Sequence, residues 1–450
     1  MMWAVLIVCL TNAFIYFTIS HRFLDVGSII NGVWAAALLI NILNPLDWYD
    51  LSNKTELYIT LGVISLNIGL LVAELLFSRI QNRESEYIII TKKKPNFRMF
   101  FLYQSFLLII SIPMIYKAAK LLITNNMNMY VLRNIYATGG ENASYMSTLE
   151  RLIYIHYIVN PGAMACIIID SILCIEYAFW KKPFIFLMLL TLSMTIISAA
   201  RTSLFFSMVM LLIAYSNRKD NYAFPNLQGK SQIKKNMIIY IIIIVIFSMI
   251  ITTQRTSSYS SLSSIMGRTF LAYFGGGIRV FNETLRNPQQ FGLDRYSFGM
   301  CSIAGLISIF DLFNNYALSP LGINILPAGH SSTAVAQGFL YSNVVIGPYT
   351  SMNAFPTMFY YFCRDGGAIA IAFISCLFGM LLGYFKKVQQ LKPNIRNRFI
   401  YYFMVYAAIM SICWWEPIRT EFWMIMIWGL LLYRMMLKKE EKAYAEGRKE

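Results

Sequence analysis

Apolar residues run without interruption through stretches long enough to cross a bilayer as a helix, roughly 20 residues each, and short polar segments separate them. Lipid offers backbone groups no hydrogen-bond partner, so each run must be a helix that satisfies itself. The runs show no two-residue alternation, which excludes a β-barrel. The pattern predicts about eleven spans, at roughly 2–20, 28–44, 57–77, 99–116, 151–179, 184–200, 202–216, 236–253, 366–385, 399–415 and 422–437. The run from Pro183 to Asn217 is too long for one span and suits two short ones. Arg201 is its only charge, and it marks the predicted turn of a helical hairpin. An arginine there is costly unless it lines a wet cavity, meets an anion or snorkels to the headgroups.

The predicted order is an all-α polytopic membrane protein with a long helical outer segment. Residues 1–251 carry eight N-terminal spans, with an outer loop at 117–150. Residues 252–365 form the long outer segment, 366–437 the last three spans, and 438–450 a cytoplasmic tail. The outer segment is rich in Gly and Ser but also in Phe, Tyr and Ile, so it is expected to fold. Amphipathic and re-entrant helices are expected there, with Met300–Phe313 as the re-entrant candidate. No internal repeat of the transporter kind is visible, which argues against alternating access.

Composition fits this order. The chain has 450 residues, 57% hydrophobic and only 13% charged, with a mean hydropathy of +0.54. Soluble domains carry about a quarter charged residues. The formal net charge is +16. Its lysines lie mainly in short loops and the tail, where they set topology and meet anionic headgroups. No compact soluble domain is expected, so nucleic-acid binding is not expected. Basic clusters at 78–98, 217–235, 386–398, Lys181–Lys182 and Lys438–Lys439 all fall on one side if the span count holds. That places the N-terminus outside and the C-terminus in the cytoplasm. The first run, Met2 to Ser20, lacks a basic leader and a small-residue cleavage site, so no cleavable signal peptide is expected. The seven cysteines form no CxxC pair and read as small buried hydrophobes, although Cys301 and Cys363 could pair in an outer loop.

The outer face is poor in lysine and rich in arginine: Arg133, Arg151, Arg201, Arg255, Arg268, Arg279, Arg286, Arg295, Arg364 and Arg419. Guanidinium recognises phosphate with a planar two-pronged fork, so this inventory points to an anionic ligand, with pyrophosphate the obvious one at a membrane. The spacing of Arg268, Arg279 and Arg286 puts them on one face of a helix. The triplet Gly275–Gly276–Gly277 is expected to interrupt that helix, or to form a backbone nest for an oxyanion. Arg364 and Asp365 stand at the mouth of the ninth span, where Asp365 is either a helix N-cap or a functional acid. Glu416 and Arg419 form a second acid–base pair. Candidate general bases are Asp47, Asp50, Asp294, Asp311, Asp365, Glu416, Glu421 and His330. Asp47 and Asp50 make a weak DxxD for metal. Walker, GxSxG and HExxH motifs are absent. Glu74, His156, Asp170 and Glu176 lie within spans and either line a path or pack helices.

An arginine at a hairpin turn, an arginine-rich outer segment opened by Gln254-Arg255-Thr256-Ser257-Ser258, and the Asn353-Ala354-Phe355 stretch running to Asp365-Gly366 occur together. In this the chain resembles the oligosaccharide repeat-unit polymerases, the Wzy-type O-antigen and capsule polymerases. It departs from them where Pro356 splits the Asn–Thr stretch, and where Arg364-Asp365-Gly366-Gly367 replaces an Asp-Phe-Gly. The resemblance implies a GT-C-like fold and an inverting glycosyltransferase. It would join undecaprenyl-diphosphate-linked oligosaccharides at the outer face of a bacterial inner membrane. It implies no metal and no other cofactor. A chain-length regulator and a flippase are the partners it implies, besides the bilayer. On this chemistry Arg201, Arg255 and Arg279 are the first diphosphate contacts, with Arg364 and Arg419 second. Asp365, Glu416 and His330 are the candidate bases. Three alternatives stand. An O-antigen ligase would use His330, the only outer histidine; a lipid-linked oligosaccharide flippase would make no bond; a structural membrane subunit would have no chemistry at all.

Overall fold

The computed structural model describes residues 1–20, 25–84, 97–124, 129–138, 146–175, 181–217, 230–255, 262–314, 322, 343–348, 350–353 and 355–446. The chain is almost entirely helical. In order it forms α1 (Met2–Ser20), α2 (Val26–Leu43), α3 (Asn53–Glu84), α4 (Arg98–Thr124), α5 (Met129–Thr138) and α6 (Thr148–Arg151). A π-helical turn at Leu152–Tyr157 leads into α7 (Val159–Ile175), α8 (Lys181–Ser198), α9 (Thr202–Asn217) and α10 (Lys230–Arg255). Then follow α11 (Leu262–Arg286), α12 (Ala304–Phe313), β1 (Asn343–Gly347) and β2 (Thr350–Asn353). The last elements are α13 (Met358–Leu391), α14 (Ile395–Met410), a 3₁₀ turn at Glu416–Ile418 and α15 (Thr420–Glu446).

Every expected span falls largely on one of these helices. Among the described residues, six helices are long and apolar enough to cross a membrane: Val26–Leu43, Asn53–Phe77, Arg98–Ile123, Leu149–Ile175, Lys181–Ser198 and Met358–Leu391. Three more apolar helices are shorter: Met2–Thr18, Thr202–Asn217 and Met237–Ile251. On α4 the side chains of Phe106, Ile109, Ile112 and Tyr116 stay exposed, as a lipid-facing stripe requires. All seven cysteines are free thiols, so Cys301 and Cys363 do not pair. The antiparallel hairpin β1–β2, with Val344 opposite Met352, was not expected. Strands of four and five residues are too short for hydropathy period to separate them from helix.

The residues group into two compact units: 1–87, 260–392 and 404–423 form the first, and 88–259, 393–403 and 424–450 the second. In the first unit α3 and α13 pack along most of their length. Glycines permit the close approach. A Cβ on Gly379 would lie 2.1 Å from the Leu66 carbonyl oxygen, and one on Gly383 2.4 Å from the Ala73 Cβ. Gly379 and Gly383 make a small-xxx-small contact of the kind that joins helices in lipid. Gly379→Val is expected to destabilise the unit by about 1–3 kcal/mol, the usual effect of overpacking. A thermal melt of the detergent-solubilised protein reads it, and an unchanged midpoint would mean the helices do not meet there.

At one end of the same helices a charge cluster is buried. Lys386 Nζ lies 3.0 Å from Asp25 Oδ1 and 2.8 Å from Glu74 Oε1, and Lys387 Nζ lies 2.7 Å from Glu74 Oε2. Asp25 also caps α2 by accepting from the Gly27 N–H at 3.1 Å. Glu74 was expected to line a path or pack helices, and it is engaged in this ion-pair cluster.

In the second unit α7 is the buried centre, with nearly every residue from Val159 to Ile175 shielded. The predicted hairpin is present: α8 ends at Ser198, α9 begins at Thr202, and Ala199 turns the chain in the left-handed region at φ 45°.

Candidate functional site

In the first unit α11 runs unbroken through Gly275–Gly276–Gly277, so the expected interruption is absent. The triplet is there for close packing. A Cβ on Gly275 would meet Ile40 and Trp48, one on Gly276 would meet Met352, and one on Gly277 would lie 2.3 Å from the Ile412 carbonyl oxygen. The helix stays intact because these neighbours fill the space that side chains would need.

About one turn on from Gly275, the same helix delivers Arg279 to the interior, where only 3% of it is exposed. Its Nε donates to Asn41 Oδ1 at 2.8 Å and its Nη2 to the Asn41 carbonyl at 2.7 Å. Nη1 donates to the Tyr49 carbonyl. The guanidinium lies 5.9 Å from the Trp48 ring centroid. Asn41 is itself fixed by donating to the Gly275 carbonyl at 2.8 Å. Burial lowers the Arg279 pKa to about 10, with Asp50 acting in the opposite sense. The group is still cationic at neutral pH. Among the described residues all its acceptors are neutral, and no carboxylate is in ion-pair contact with it. Asp50 and Glu283 act on it only at longer range, so its direct contacts leave room for an anion.

Arg279 lines a cavity of about 370 Å³ together with Asn41, Asn44, Asp50, Glu56 and Trp3. Arg286, about two turns further on α11, donates from Nη2 to the Asp50 carbonyl at 2.8 Å and pairs with Glu283 at 3.1 Å. The expected common face of Arg279 and Arg286 thus exists, both reaching the 49–50 backbone. Arg268 is on the same helix, but its side chain lies outside the described residues.

Asp365 sits where α13 kinks at Gly366 and Gly367, the latter in the left-handed region at φ 63°. It is neither a bare N-cap nor open to solvent. Its carboxylate accepts from Ser297 Oγ at 2.5 Å, the Cys301 N–H at 2.9 Å, the Ser302 N–H at 2.9 Å and Ser302 Oγ. Four donors match the roughly four acceptor sites of a carboxylate. This geometry pins the 297–302 turn onto the kink. Arg364 next to it donates to the Tyr360 hydroxyl at 3.3 Å, and that hydroxyl donates to the Phe291 carbonyl at 2.8 Å.

Glu416 occupies the 3₁₀ turn before α15. It is 4% exposed and accepts from Trp414 Nε1 at 2.7 Å. Arg419 lies between two acids, with Nη1 3.9 Å from Glu416 and Nε 3.6 Å from Glu421. Trp415 Nε1 donates to the Ser302 carbonyl at 2.8 Å, which ties this turn to the Asp365 cradle. The Gly277–Ile412 contact ties it to α11 as well. Burial raises the Glu416 pKa from its ordinary 4.5, and Arg419 opposes the rise. A raised folded-state pKa means the folded form holds the proton more tightly. Stability therefore falls as pH rises from about 4.5 through the raised value. Glu416→Gln is expected to lose that slope in melts across this window; the same slope in the variant would assign it to another group.

Thus Arg279, Arg364, Asp365, Glu416 and Arg419 all belong to the first unit. Arg201 belongs to the second, where its carbonyl accepts the Phe205 N–H at 2.9 Å and starts α9. Arg255 ends α10 there, and its side chain lies outside the described residues. His330 and Glu176 also lie outside the described residues. Asp47 takes a left-handed φ of 51°, and Asp294 lies 4.0 Å from Arg295. Among the described residues no three His, Cys, Asp or Glu side chains cluster with metal-binding geometry.

The partners Asn41, Trp48, Ser297, Ser302 and Trp414 were not anticipated. Only for Trp414, two residues from Glu416, was there a local signal. Asn41 meets Arg279 across 238 residues of chain. No family model matches the chain, and no curated protein or solved structure matches it.

Proposed function

We propose that the chain is a membrane glycosyltransferase that polymerises undecaprenyl-diphosphate-linked oligosaccharide units into a surface polysaccharide. In this reading the membrane is a bacterial inner membrane, crossed about eleven times with the Arg279 end outside. The observation that carries it is Arg279: a buried guanidinium at a cavity wall, with three neutral acceptors and, among the described residues, no carboxylate in ion-pair contact. Breaking a sugar–diphosphate bond builds negative charge on the leaving group. A fixed cation in a low-dielectric site stabilises that charge more in the transition state than in the ground state. The attacking sugar hydroxyl needs an acceptor for its proton. Glu416 is the acid whose raised pKa suits this role. Asp365, with its acceptor sites filled, is assigned to holding the site together.

A flippase would need charge along a path through the bilayer. Lys386, Asp25 and Glu74 close on one another instead of lining such a path. The test is a surface-glycan gel of a deletion strain, with and without the wild-type chain. Collapse of the ladder to a single repeat unit, restored by the chain, supports polymerase activity. Loss of every glycan-bearing band, the single-unit one included, would replace it by a ligase or flippase.

A further inference from the structure

In the second unit two side chains are fully enclosed and half satisfied. Asp170 on α7 and Gln104 on α4 are both 0% exposed. Gln104 Nε2 donates to Asp170 Oδ2 at 2.7 Å. Among the described residues Asp170 Oδ1 and Gln104 Oε1 have no hydrogen-bond partner. Both helices are among those long and apolar enough to cross a membrane. Two buried acceptors without a donor are rare, and each calls for an explanation.

We propose that Asp170 is a proton-binding site, held in the resting protein as a neutral carboxylic acid paired with the Gln104 carboxamide. In a side-by-side acid–amide pair, the amide N–H meets one carboxyl oxygen and the acid O–H meets the amide oxygen. The first of these bonds is present. The atoms required for the second are the two oxygens that lack partners. One proton on Oδ1 supplies the missing donor and removes the charge. An ionised carboxylate would instead need a cation, because a lone buried charge neutralises more cheaply than it persists. Among the described residues no Lys, Arg or His is in ion-pair contact with Asp170. The titratable groups around the pair are Cys166 and Cys174 on α7, Tyr103 on α4 and Tyr240 on α10. All four are uncharged at neutral pH by their ordinary values. The Thr191 hydroxyl on α8 and the Ser207 hydroxyl on α9 are both engaged with Tyr240. A proton is therefore the ligand whose chemistry fits, and the site is independent of the proposed glycosyltransferase activity.

The experiment is infrared spectroscopy of the full chain in lipid nanodiscs at neutral pH, with isotope-labelled aspartate. A carboxylic-acid carbonyl band is expected in wild type and absent in Asp170→Asn. In Gln104→Leu the band persists but moves to higher frequency, because its hydrogen-bond partners are gone. Asp170→Asn supplies an amide N–H where the acid O–H stood, so its melting midpoint is expected within about 4 °C of wild type. Absence of the band in wild type overturns the proposal, as does a band that persists in Asp170→Asn. A band seen only after sodium and potassium are removed assigns the site to a metal cation and also overturns it. Failure of Asp170→Asn to fold would show that the charge is required, with the same consequence.

Discussion

Arg279→Lys is expected to lower glycan polymerisation by about 10²–10³, the usual loss when one preorganised charge contact at a developing anion is removed. The substitution keeps a positive charge but not the fork. Arg279 uses Nε and Nη2 on Asn41 and Nη1 on Tyr49, which leaves further N–H groups for a ligand. An ammonium cannot hold Asn41 and Tyr49 in that geometry and also present a two-pronged face to a phosphate. The measurement is polymer length made by membrane vesicles supplied with lipid-diphosphate-linked repeat units. Membrane levels and melting of the variant are followed in parallel. Full activity in a folded Arg279→Lys protein would remove the anion role, and the functional proposal would lose its supporting observation. A fall in both folding and activity would call for Asn41→Asp. That variant gives the guanidinium an internal counter-ion, and it is expected to cost activity without loss of folding.

Lys386→Met is expected to destabilise the first unit by about 3–5 kcal/mol, the range for breaking a buried ion pair from one side. Lys386 is 8% exposed and Asp25 4%. Among the described residues, removal of the ammonium leaves the buried Asp25 carboxylate with its bond to the Gly27 N–H. Glu74 keeps Lys387 at 2.7 Å and is 28% exposed, so it contributes little to the loss. Lys387→Met is accordingly expected to cost about 1 kcal/mol or less. The double variant Asp25→Asn with Lys386→Met is expected to recover much of the stability, since both buried charges are then gone. Thermal melts of the three proteins check this. Equal losses for Lys386→Met and Lys387→Met would show that water, and not the ion pair, solvates Asp25.

The cluster and the Arg279 cavity stand at opposite ends of the same helices. On α2, Asp25 and Asn41 are separated by about 24 Å of helix at 1.5 Å per residue. On α13, Asp365 and Lys386 are separated by about 31 Å, shortened somewhat by the kink. A hydrocarbon layer is about 30 Å thick. The first unit therefore carries polar chemistry at both ends of a bilayer-length apolar stretch.

What the sequence by itself determined was the helices and where they stop. Each apolar run became a helix, and the run around Arg201 became two helices joined at Ala199–Arg201. Helical hydrogen bonds close within four residues, so in an apolar medium a local pattern suffices to specify them. The arginines on α11 were also legible, since Arg279 and Arg286 share a face by spacing alone. The use made of these residues was decided by tertiary structure. Gly275–Gly277 reads as a helix break, yet the neighbours Ile40, Met352 and Ile412 make it a packing seam. Asp365 reads as a cap or a base, yet Ser297, Cys301 and Ser302 fill its lone pairs from more than sixty residues away. Lys386 reads as a loop lysine that sets topology, yet it meets Asp25 across 361 residues. Gly379 and Gly383 drew no reading from the sequence, because their partner α3 lies about three hundred residues earlier in the chain. Hydropathy records how each residue meets its solvent. Burial of a charge, saturation of a carboxylate and the walls of a cavity depend on which distant segments come together, and only the packed helices settle that.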